Sequence, residues 1–270
     1  MTRQYCHIGS RTIAYLDSAP KSTMRALVLL HAFPIGANLW EPQMRSIPAG
    51  WRLITPDLRG FGGSTELDSA NGRSLGDYAD DVIALLQELG VKRAVIGGCS
   101  MGGYAALALY QSAAHIFDGL ILANTRAGAD SPESRANRRN MLALVDREGP
   151  SGVAREMMPK LLGRTTHDTN TTAEATVRRL IKQQSPAAIR GAIERMMHRS
   201  DSTALLAQVS VPTLVITGAE DEMIPVEESR RIASGIKGAK LVIVPGAGHL
   251  ANLEQPEAFN DAVKGFLSAL

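Results

Sequence analysis

Short apolar runs alternate with amphipathic stretches along most of the 270-residue chain. The runs have the length of buried strands, and the stretches between them have the spacing of helices that bury one face. Strands are predicted near residues 26–30, 52–56, 93–98, 118–123, 212–217 and 240–244, after an edge hairpin over 3–16. Helices are predicted near residues 38–47, 74–89, 101–114, 227–236 and 254–269. This alternation predicts a mostly parallel sheet covered by helices on both faces.

The alternation stops within residues 126–206. That stretch has no strand-like run, and helical patterns such as 174–183 and 187–198 occupy it between prolines. We therefore predict an α/β core formed by residues 1–125 and 207–270. Residues 126–206, here called the helical insertion, are predicted to form a helical cap on that core. With 44% apolar residues, the chain is able to bury one sizeable core.

The pentapeptide Gly98-Cys99-Ser100-Met101-Gly102 is the strongest chemical signal in the chain. An apolar strand pattern precedes it and a helical pattern follows it. A serine at such a strand-to-helix turn has a strained backbone that needs small neighbours, which the two glycines supply. The turn also places the Ser100 hydroxyl near the positive end of a helix. An incidental serine in a Gly-rich turn is the alternative, and the flanking patterns favour a nucleophile.

A serine nucleophile needs a base, and the chain has six histidines. His249 follows a predicted strand and the flexible Gly246-Ala247-Gly248, which places it on a loop at a strand end. His115 lies near a helix C-terminus, where a cation is favourable, and His167 and His198 lie in polar helical surroundings that favour solvation. His249 is therefore the candidate base.

The base in turn needs an acid to hold its tautomer, and three acids follow the predicted strand that ends near residue 217. Asp221 is the candidate, since it comes three residues after the turn-forming Gly218. We interpret Glu220 and Glu222 as a solvated acidic loop. Asn124 also follows a predicted strand, but it does not ionise and so is not a candidate acid.

Four separated segments resemble the α/β-hydrolase family, and together the resemblance covers almost the whole chain. They are Gly98–Gly102, Leu30-His31-Ala32-Phe33-Pro34, the segment 56–64 (Pro-Asp-Leu-Arg-Gly-Phe-Gly-Gly-Ser), and Gly248-His249 followed by Glu254 and Pro256. Ala32 stands where the family usually has glycine. The resemblance gives Asp57 and Arg59 structural roles.

The resemblance implies an α/β-hydrolase fold, with a mostly parallel eight-stranded sheet and an inserted helical cap. It makes Ser100 the nucleophile, Asp221 the acid and His249 the base. It also makes the backbone amides of Phe33 and Met101 the donors that hold the oxyanion. The same pattern implies a small-molecule ester as substrate, hydrolysed through an acyl-enzyme.

Composition excludes several other classes of function. The formal charge is +2, and no basic run interleaved with aromatic residues suggests nucleic-acid binding. The N-terminus lacks the apolar segment of a secretion signal, and no apolar run approaches a membrane span. The two cysteines, Cys6 and Cys99, are far apart, which is typical of a reducing compartment. We expect a cytoplasmic protein with no cofactor, metal or membrane partner, and leave its oligomeric state open.

The helical insertion has an unusual composition. No Phe, Tyr or Trp occurs between residues 118 and 258, so its apolar contacts come from aliphatic residues and methionines. We interpret most of those methionines as helix-packing residues. Residues 126–200 contain 14 Lys and Arg against 8 Asp and Glu, a net charge of +6. We interpret this charge as a solvated surface rather than a device for steering anions.

We therefore expect a carboxylesterase that acts on short or medium aliphatic acyl groups. The overall pattern is also similar to 3-oxoadipate enol-lactonases, whose lactone carries a carboxylate, but the cap aromatic usual in those enzymes is missing. The haloalkane dehalogenase branch is disfavoured because it needs Asp at the position of Ser100. The alternative from another class is a small-molecule receptor or signalling protein that keeps the triad with little turnover.

Overall fold

The computed structural model describes residues 2–19, 22, 24–66 and 73–270. Its strands are β1 (Gln4–Ile8), β2 (Arg11–Asp17), β3 (Arg25–Leu30), β4 (Trp51–Pro56), β5 (Ala94–Cys99), β6 (Phe117–Ala123), β7 (Thr213–Gly218) and β8 (Lys240–Val244). They form one sheet in the order β1-β2-β4-β3-β5-β6-β7-β8. The pairs β1–β2 and β2–β4 are antiparallel, and the remaining pairs are parallel. The mostly parallel eight-stranded sheet predicted from the sequence is confirmed.

Helices cover this sheet and form the segment between β6 and β7. They are α1 (Glu41–Met44), α2 (Gly76–Glu88), α3 (Met101–Ala113), α4 (Pro132–Leu161), α5 (Arg164–Thr169), α6 (Thr171–Lys182), α7 (Pro186–Met197), α8 (Thr203–Leu206), α9 (Val226–Gly235), α10 (Ala251–Glu254) and α11 (Pro256–Ser268). Two 3₁₀ turns, Ala37–Trp40 and Ala114–Ile116, complete the regular structure of the described residues. Every residue of β4, β5 and β7 is buried, which requires cover on both faces of the sheet.

Two predicted helices differ from the observed ones for local reasons. The pattern over 38–47 forms a 3₁₀ turn followed by the short α1. The pattern over 254–269 is divided at Gln255, whose φ of −128° and ψ of 65° are not helical, and α11 begins with Pro256. Proline is favourable at a first helical position because its fixed φ suits the helix. It also lacks an N–H, and an N–H at that position would have no partner within the helix.

The helical insertion contains α4 to α8. Three of its helices, α4, α6 and α7, begin at a side chain that accepts a backbone N–H, namely Ser131, Asn170 and Ser185 respectively. Helix α4 bends at Gly149, where a φ of 60° suits glycine. Helix α4 packs against α6 and α7, and buried apolar side chains of all three helices belong to the same core as those of the sheet.

The methionines of the helical insertion contribute to that packing. Met157, Met158 and Met196 are buried in the apolar core, and Met141 packs against it from a half-buried position. This arrangement agrees with their interpretation as packing residues.

Within the described residues, no helix is long and apolar enough to cross a membrane. The same part of the chain contains no group of three or more His, Cys, Asp or Glu side chains able to hold a metal ion. Cys6 and Cys99 are both free thiols.

Candidate active site

Ser100 occupies the sharp turn between β5 and α3. Its φ of 54° and ψ of −113° lie in a region that non-glycine residues rarely adopt. Hydrogen bonds from outside the turn help to hold the strained residue: its N–H donates to Ala123 O at 2.9 Å, and Thr125 Oγ1 donates to its carbonyl at 2.9 Å. A Cβ on Gly102 would overlap the carbonyl oxygen of Leu30. The turn therefore depends on glycine because backbones approach closely there.

The structure brings Ser100, His249 and Asp221 together, although they come from three separate parts of the chain. Ser100 Oγ lies 2.8 Å from His249 Nε2, and His249 Nδ1 lies 2.9 Å from Asp221 Oδ2 and 3.1 Å from Oδ1. An ionised carboxylate only accepts, so Nδ1 carries the proton and Nε2 accepts from the serine hydroxyl. The relative exposures of the serine, histidine and aspartate are 8%, 1% and 7%.

The neighbouring His249 and donated hydrogen bonds favour the ionised form of Asp221 despite its burial. Burial by itself raises the pKa of the carboxyl, but the neighbouring His249 and donated hydrogen bonds outweigh that effect and lower the pKa. The donors are the backbone N–H groups of Met223 and Ile224, each 2.9 Å from Oδ1, and the side-chain amide of Asn124. The negative charge of Asp221 therefore lies beside Nδ1 of His249.

Asn124 belongs to this site, although sequence reasoning assigned it no role there. Its Nδ2 donates to Asp221 Oδ2 at 2.9 Å and to Gly248 O at 3.0 Å. Its φ is 46°, a value that asparagine tolerates better than most residues. Its position directly after β6, beside the strand that leads to Ser100, was the available signal.

The predicted oxyanion donors lie in the expected places in the chain. Met101 is the first residue of α3, and Phe33 follows β3, which is the neighbour of β5 in the sheet. Among the described residues, neither backbone N–H has a hydrogen-bond partner. Their role as oxyanion donors stays a prediction.

The buried His31 holds the loop that carries Phe33. Its Nδ1 lies 3.0 Å from Ala32 O, and its Nε2 accepts the N–H of Leu58 at 3.0 Å. Burial lowers the pKa of His31, so the ring is neutral, which this donor-and-acceptor pairing requires. The imidazole thus joins the Phe33 loop to the segment 56–64.

The segment 56–64 has structural contacts, as the resemblance implies. Asp57 is buried, accepts the N–H groups of Ala37 at 2.8 Å and Gly63 at 3.2 Å, and pairs with Arg3 at 2.9 Å. Arg59 pairs with Asp81 of α2 at 2.8 Å. These contacts order the loops beside the Phe33 loop.

The interpretation of Glu220 as a solvated residue holds only in part, because its side chain is half-buried and bonded to the helical insertion. Its carboxylate accepts the Oγ1–H of Thr165 at 2.6 Å and the N–H of the same residue at 2.8 Å. These bonds from Thr165 lower the pKa of Glu220. The loop after β7 is therefore tied to the helical insertion. Glu222 is exposed, as expected.

The interpretation of the insertion's positive charge as a solvated surface holds only in part. Arg195 is completely buried and pairs with Glu66 and Asp77 of the core, each at 3.0 Å. Arg199 is 6% exposed and pairs with Asp130 at 2.5 Å. The pairs of Arg195 thus join the insertion to the core, whereas the pair of Arg199 and Asp130 lies within the insertion.

The remaining histidines have other surroundings. His7, His115 and His198 are exposed, and His167 lies 3.6 Å from Glu174 on the helical insertion. The exposure of His115 and His198 agrees with the helix-terminal and solvated positions predicted for them, whereas His167 is half-buried.

Comparison with known proteins identifies the family. Residues 25–256 match the family described as having the alpha/beta hydrolase fold. This chain belongs to the α/β-hydrolase family. A thermophilic esterase from Thermogutta terrifontis, whose structure contains malate, is 35% identical to it with a TM-score of 0.92. The likeness covers 100% of this chain and 99% of that one.

Two curated α/β-hydrolase relatives span nearly the same length. The putative carbamate hydrolase RutD of Caulobacter sp. (strain K31) is 29% identical over 258 residues, which cover 94% of each chain. The 3-oxoadipate enol-lactonase 1 of Acinetobacter baylyi is 27% identical over 265 residues, which cover 96% of this chain and 94% of that protein. The relatives are hydrolases of different bonds, so family membership indicates a hydrolase without specifying its substrate.

Proposed function

We propose that this protein is a serine hydrolase that cleaves carboxylic esters through an acyl-enzyme. One observation carries the proposal: an unbroken chain of hydrogen bonds runs from Ser100 Oγ through the imidazole of His249 to Asp221. The nucleophile and its base are within hydrogen-bond reach, and the base is oriented by an ionised third group. The similarity to the Thermogutta terrifontis esterase supports the same reaction class.

In the first half of the reaction, Ser100 Oγ attacks the ester carbonyl while His249 Nε2 takes the hydroxyl proton. The negative charge that develops on the carbonyl oxygen is stabilised by the amides of Phe33 and Met101, one such donor being worth about 3 kcal/mol. Collapse of this intermediate expels the alcohol, which receives the proton from His249. Ser100 is then acylated.

In the second half, water takes the place of the alcohol. His249 Nε2 removes a proton from the water, and the resulting hydroxide attacks the acyl carbonyl. The same two amides hold the oxyanion, and the proton returns to Ser100 Oγ as the acid departs. Asp221 stays ionised throughout and stabilises the imidazolium.

The side chains favour an aliphatic acyl group. The helical insertion supplies no aromatic ring. Trp40 is fully buried and packs on Phe259 with ring centroids 5.9 Å apart, so it offers no free face. Tyr104 already has the guanidinium of Arg199 over its ring at 4.2 Å. An aliphatic chain needs no stacking partner, whereas an aryl group gains from one.

A second candidate is hydrolysis of a lactone that carries a carboxylate. The similarity to the 3-oxoadipate enol-lactonase of Acinetobacter baylyi supports it. The chemistry at Ser100 is the same, because a lactone is a cyclic ester. Rates on matched lactones with and without a carboxylate separate this candidate from a simple esterase.

The test is turnover of a panel of p-nitrophenyl esters and lactones by wild type, Ser100→Ala and Ser112→Ala. Ser112 is an exposed serine on the same helix α3 and serves as the matched control. We expect hydrolysis by wild type and Ser112→Ala, and none above background by Ser100→Ala. A folded wild type that turns over no member of the panel contradicts the proposal and favours a receptor.

A further inference from the structure

Glu254 is a buried carboxylate that accepts four hydrogen bonds, and its two oxygens serve different parts of the fold. It is 4% exposed and ends the short helix α10, five residues after His249. Oε1 accepts the backbone N–H groups of Gly248 at 2.9 Å and Leu250 at 3.0 Å. These are the residues on either side of His249, so one oxygen fixes the backbone that carries the imidazole.

The other oxygen binds the helical insertion. Oε2 of Glu254 accepts the N–H of Gly163 at 2.7 Å and the hydroxyl of Thr166 at 2.7 Å. Both partners are buried at the start of α5. A single side chain therefore joins the histidine loop to the helical insertion.

The backbones joined in this way are in direct contact. A Cβ on Gly163 would lie 2.8 Å from the nitrogen of Gly248, and a Cβ on Gly248 would overlap the backbone of Gly163. No side chain separates the two segments, so a displacement of the insertion here is transmitted to the histidine loop. Close packing makes such interfaces shift as units rather than deform smoothly.

We propose that Glu254 is a positioning residue for His249, and that it makes the position of the imidazole depend on the placement of the helical insertion. This inference rests on the proposed function. The distance of 2.8 Å between His249 Nε2 and Ser100 Oγ is set by the backbone at 248–250, to which Glu254 Oε1 is bonded. The insertion determines that distance through Oε2, without touching the reacting atoms.

Glutamine tests the proposal because all four partners of Glu254 donate. A glutamine has one accepting oxygen and an NH₂ group that only donates. Its oxygen is better placed against the two rigid N–H groups of the histidine loop. Its NH₂ group then faces the N–H of Gly163, so the bond to Gly163 is lost, while the Thr166 hydroxyl is able to turn and accept from the NH₂ group. Thr166→Val removes one bond on the insertion side and keeps both hydrogen bonds from Glu254 to the backbone of the histidine loop.

Glu220→Gln is the matched control. Glu220 is also a carboxylate that ties the core to the insertion, through Thr165, but neither of its oxygens bonds to the histidine loop. If kcat falls whenever any bond between the core and the insertion is lost, Glu220→Gln should lower it too. If kcat falls only when His249 is displaced, Glu220→Gln should leave it unchanged.

We expect Glu254→Gln to lower kcat at least about tenfold, because small misplacements of a catalytic group are costly, with KM changed less than about twofold. Thr166→Val should lower kcat about threefold, the scale of one lost hydrogen bond. The double variant should fall by less than the product of the two, since both changes act on one carboxylate. Glu220→Gln should keep kcat within about twofold of wild type.

A readout independent of turnover is the proton resonance of His249 Nδ1, identified by its loss in His249→Gln. We expect it to shift in Glu254→Gln and Thr166→Val and to stay unchanged in Glu220→Gln. An unchanged resonance in Glu254→Gln, or an equal loss of kcat in Glu220→Gln, overturns the positioning role. If wild type hydrolyses no ester, the proposed function fails, and the resonance still decides whether Glu254 positions the imidazole.

Discussion

The side-chain amide of Asn124 donates a hydrogen bond to Oδ2 of Asp221 at 2.9 Å, at the ends of the neighbouring strands β6 and β7. The same Nδ2 donates to Gly248 O, one residue before His249. A neutral donor between the acid and the histidine loop stabilises the ionised carboxylate and holds the two loops at a constant separation. Asn124 thus acts on the candidate acid without being an acid itself.

Asn124→Asp should lower both activity and stability. Aspartate tolerates the positive φ of this position, so the backbone is preserved. The change replaces the donor by a second carboxylate beside Asp221, and two such groups in contact do not both ionise without cost. We expect the free energy of unfolding to fall by about 1–3 kcal/mol and kcat/KM at pH 7 to fall about tenfold or more. Urea unfolding and ester hydrolysis measure the two effects, and unchanged values for both exclude this role.

His31 should make stability depend on pH. Its pKa is lowered by burial, so below the ordinary histidine value of about 6.5 the unfolded chain binds a proton that the folded protein does not. Above a pH of about 6.5 this residue does not reduce the free energy of unfolding. Below it, the free energy of unfolding falls by about 1.4 kcal/mol per pH unit until the pH reaches the pKa of His31 in the folded protein. Urea unfolding of wild type and His31→Gln between pH 7 and 5 measures this slope.

The variant should lack that part of the slope, whereas His198→Gln, which changes an exposed histidine, should retain it. Equal slopes in wild type and His31→Gln contradict the assignment of a neutral buried imidazole.

Glycine-to-alanine changes should have opposite effects at two helical positions. At Gly102 the added Cβ would overlap backbone atoms of Leu30, so Gly102→Ala should destabilise by several kcal/mol and displace Ser100. At Gly265 of α11 the added Cβ meets no atom within 4 Å, so Gly265→Ala should stabilise by up to about 1 kcal/mol. Thermal unfolding compares the two variants. A neutral Gly102→Ala would show that β3 and α3 are not in close contact.

Selectivity should follow the aliphatic character of the helical insertion. Each buried methylene contributes about 0.8 kcal/mol, so kcat/KM should rise from acetate esters to about butyrate or hexanoate. Benzoate esters should be poor, because the insertion has no ring to stack on them. The measurement uses one leaving group throughout, and faster hydrolysis of benzoate than of butyrate contradicts the expected pocket.

The strands, the helices and the turn at Ser100 were predictable because the sequence features that determine them are adjacent in the chain. Strand β5, the turn at Ser100 and helix α3 follow from an apolar run, two glycines and a helical pattern that are adjacent in the chain. The predicted strand ranges agree with the observed ones to within about one residue, since a buried strand in a parallel sheet is a continuous apolar run. Asp221 and His249 were candidates for the same reason, as each follows such a run.

The tertiary structure decided what those residues contact. Glu220 and Glu254 are carboxylates in polar stretches, and only the fold places their oxygens against donors of the helical insertion. Arg195 shows the same effect, since its partners Glu66 and Asp77 lie far from it along the chain. A buried charge requires partners, but periodicity does not specify which ones. Local patterns determined the elements of this protein, and long-range packing decided how its polar groups were paired.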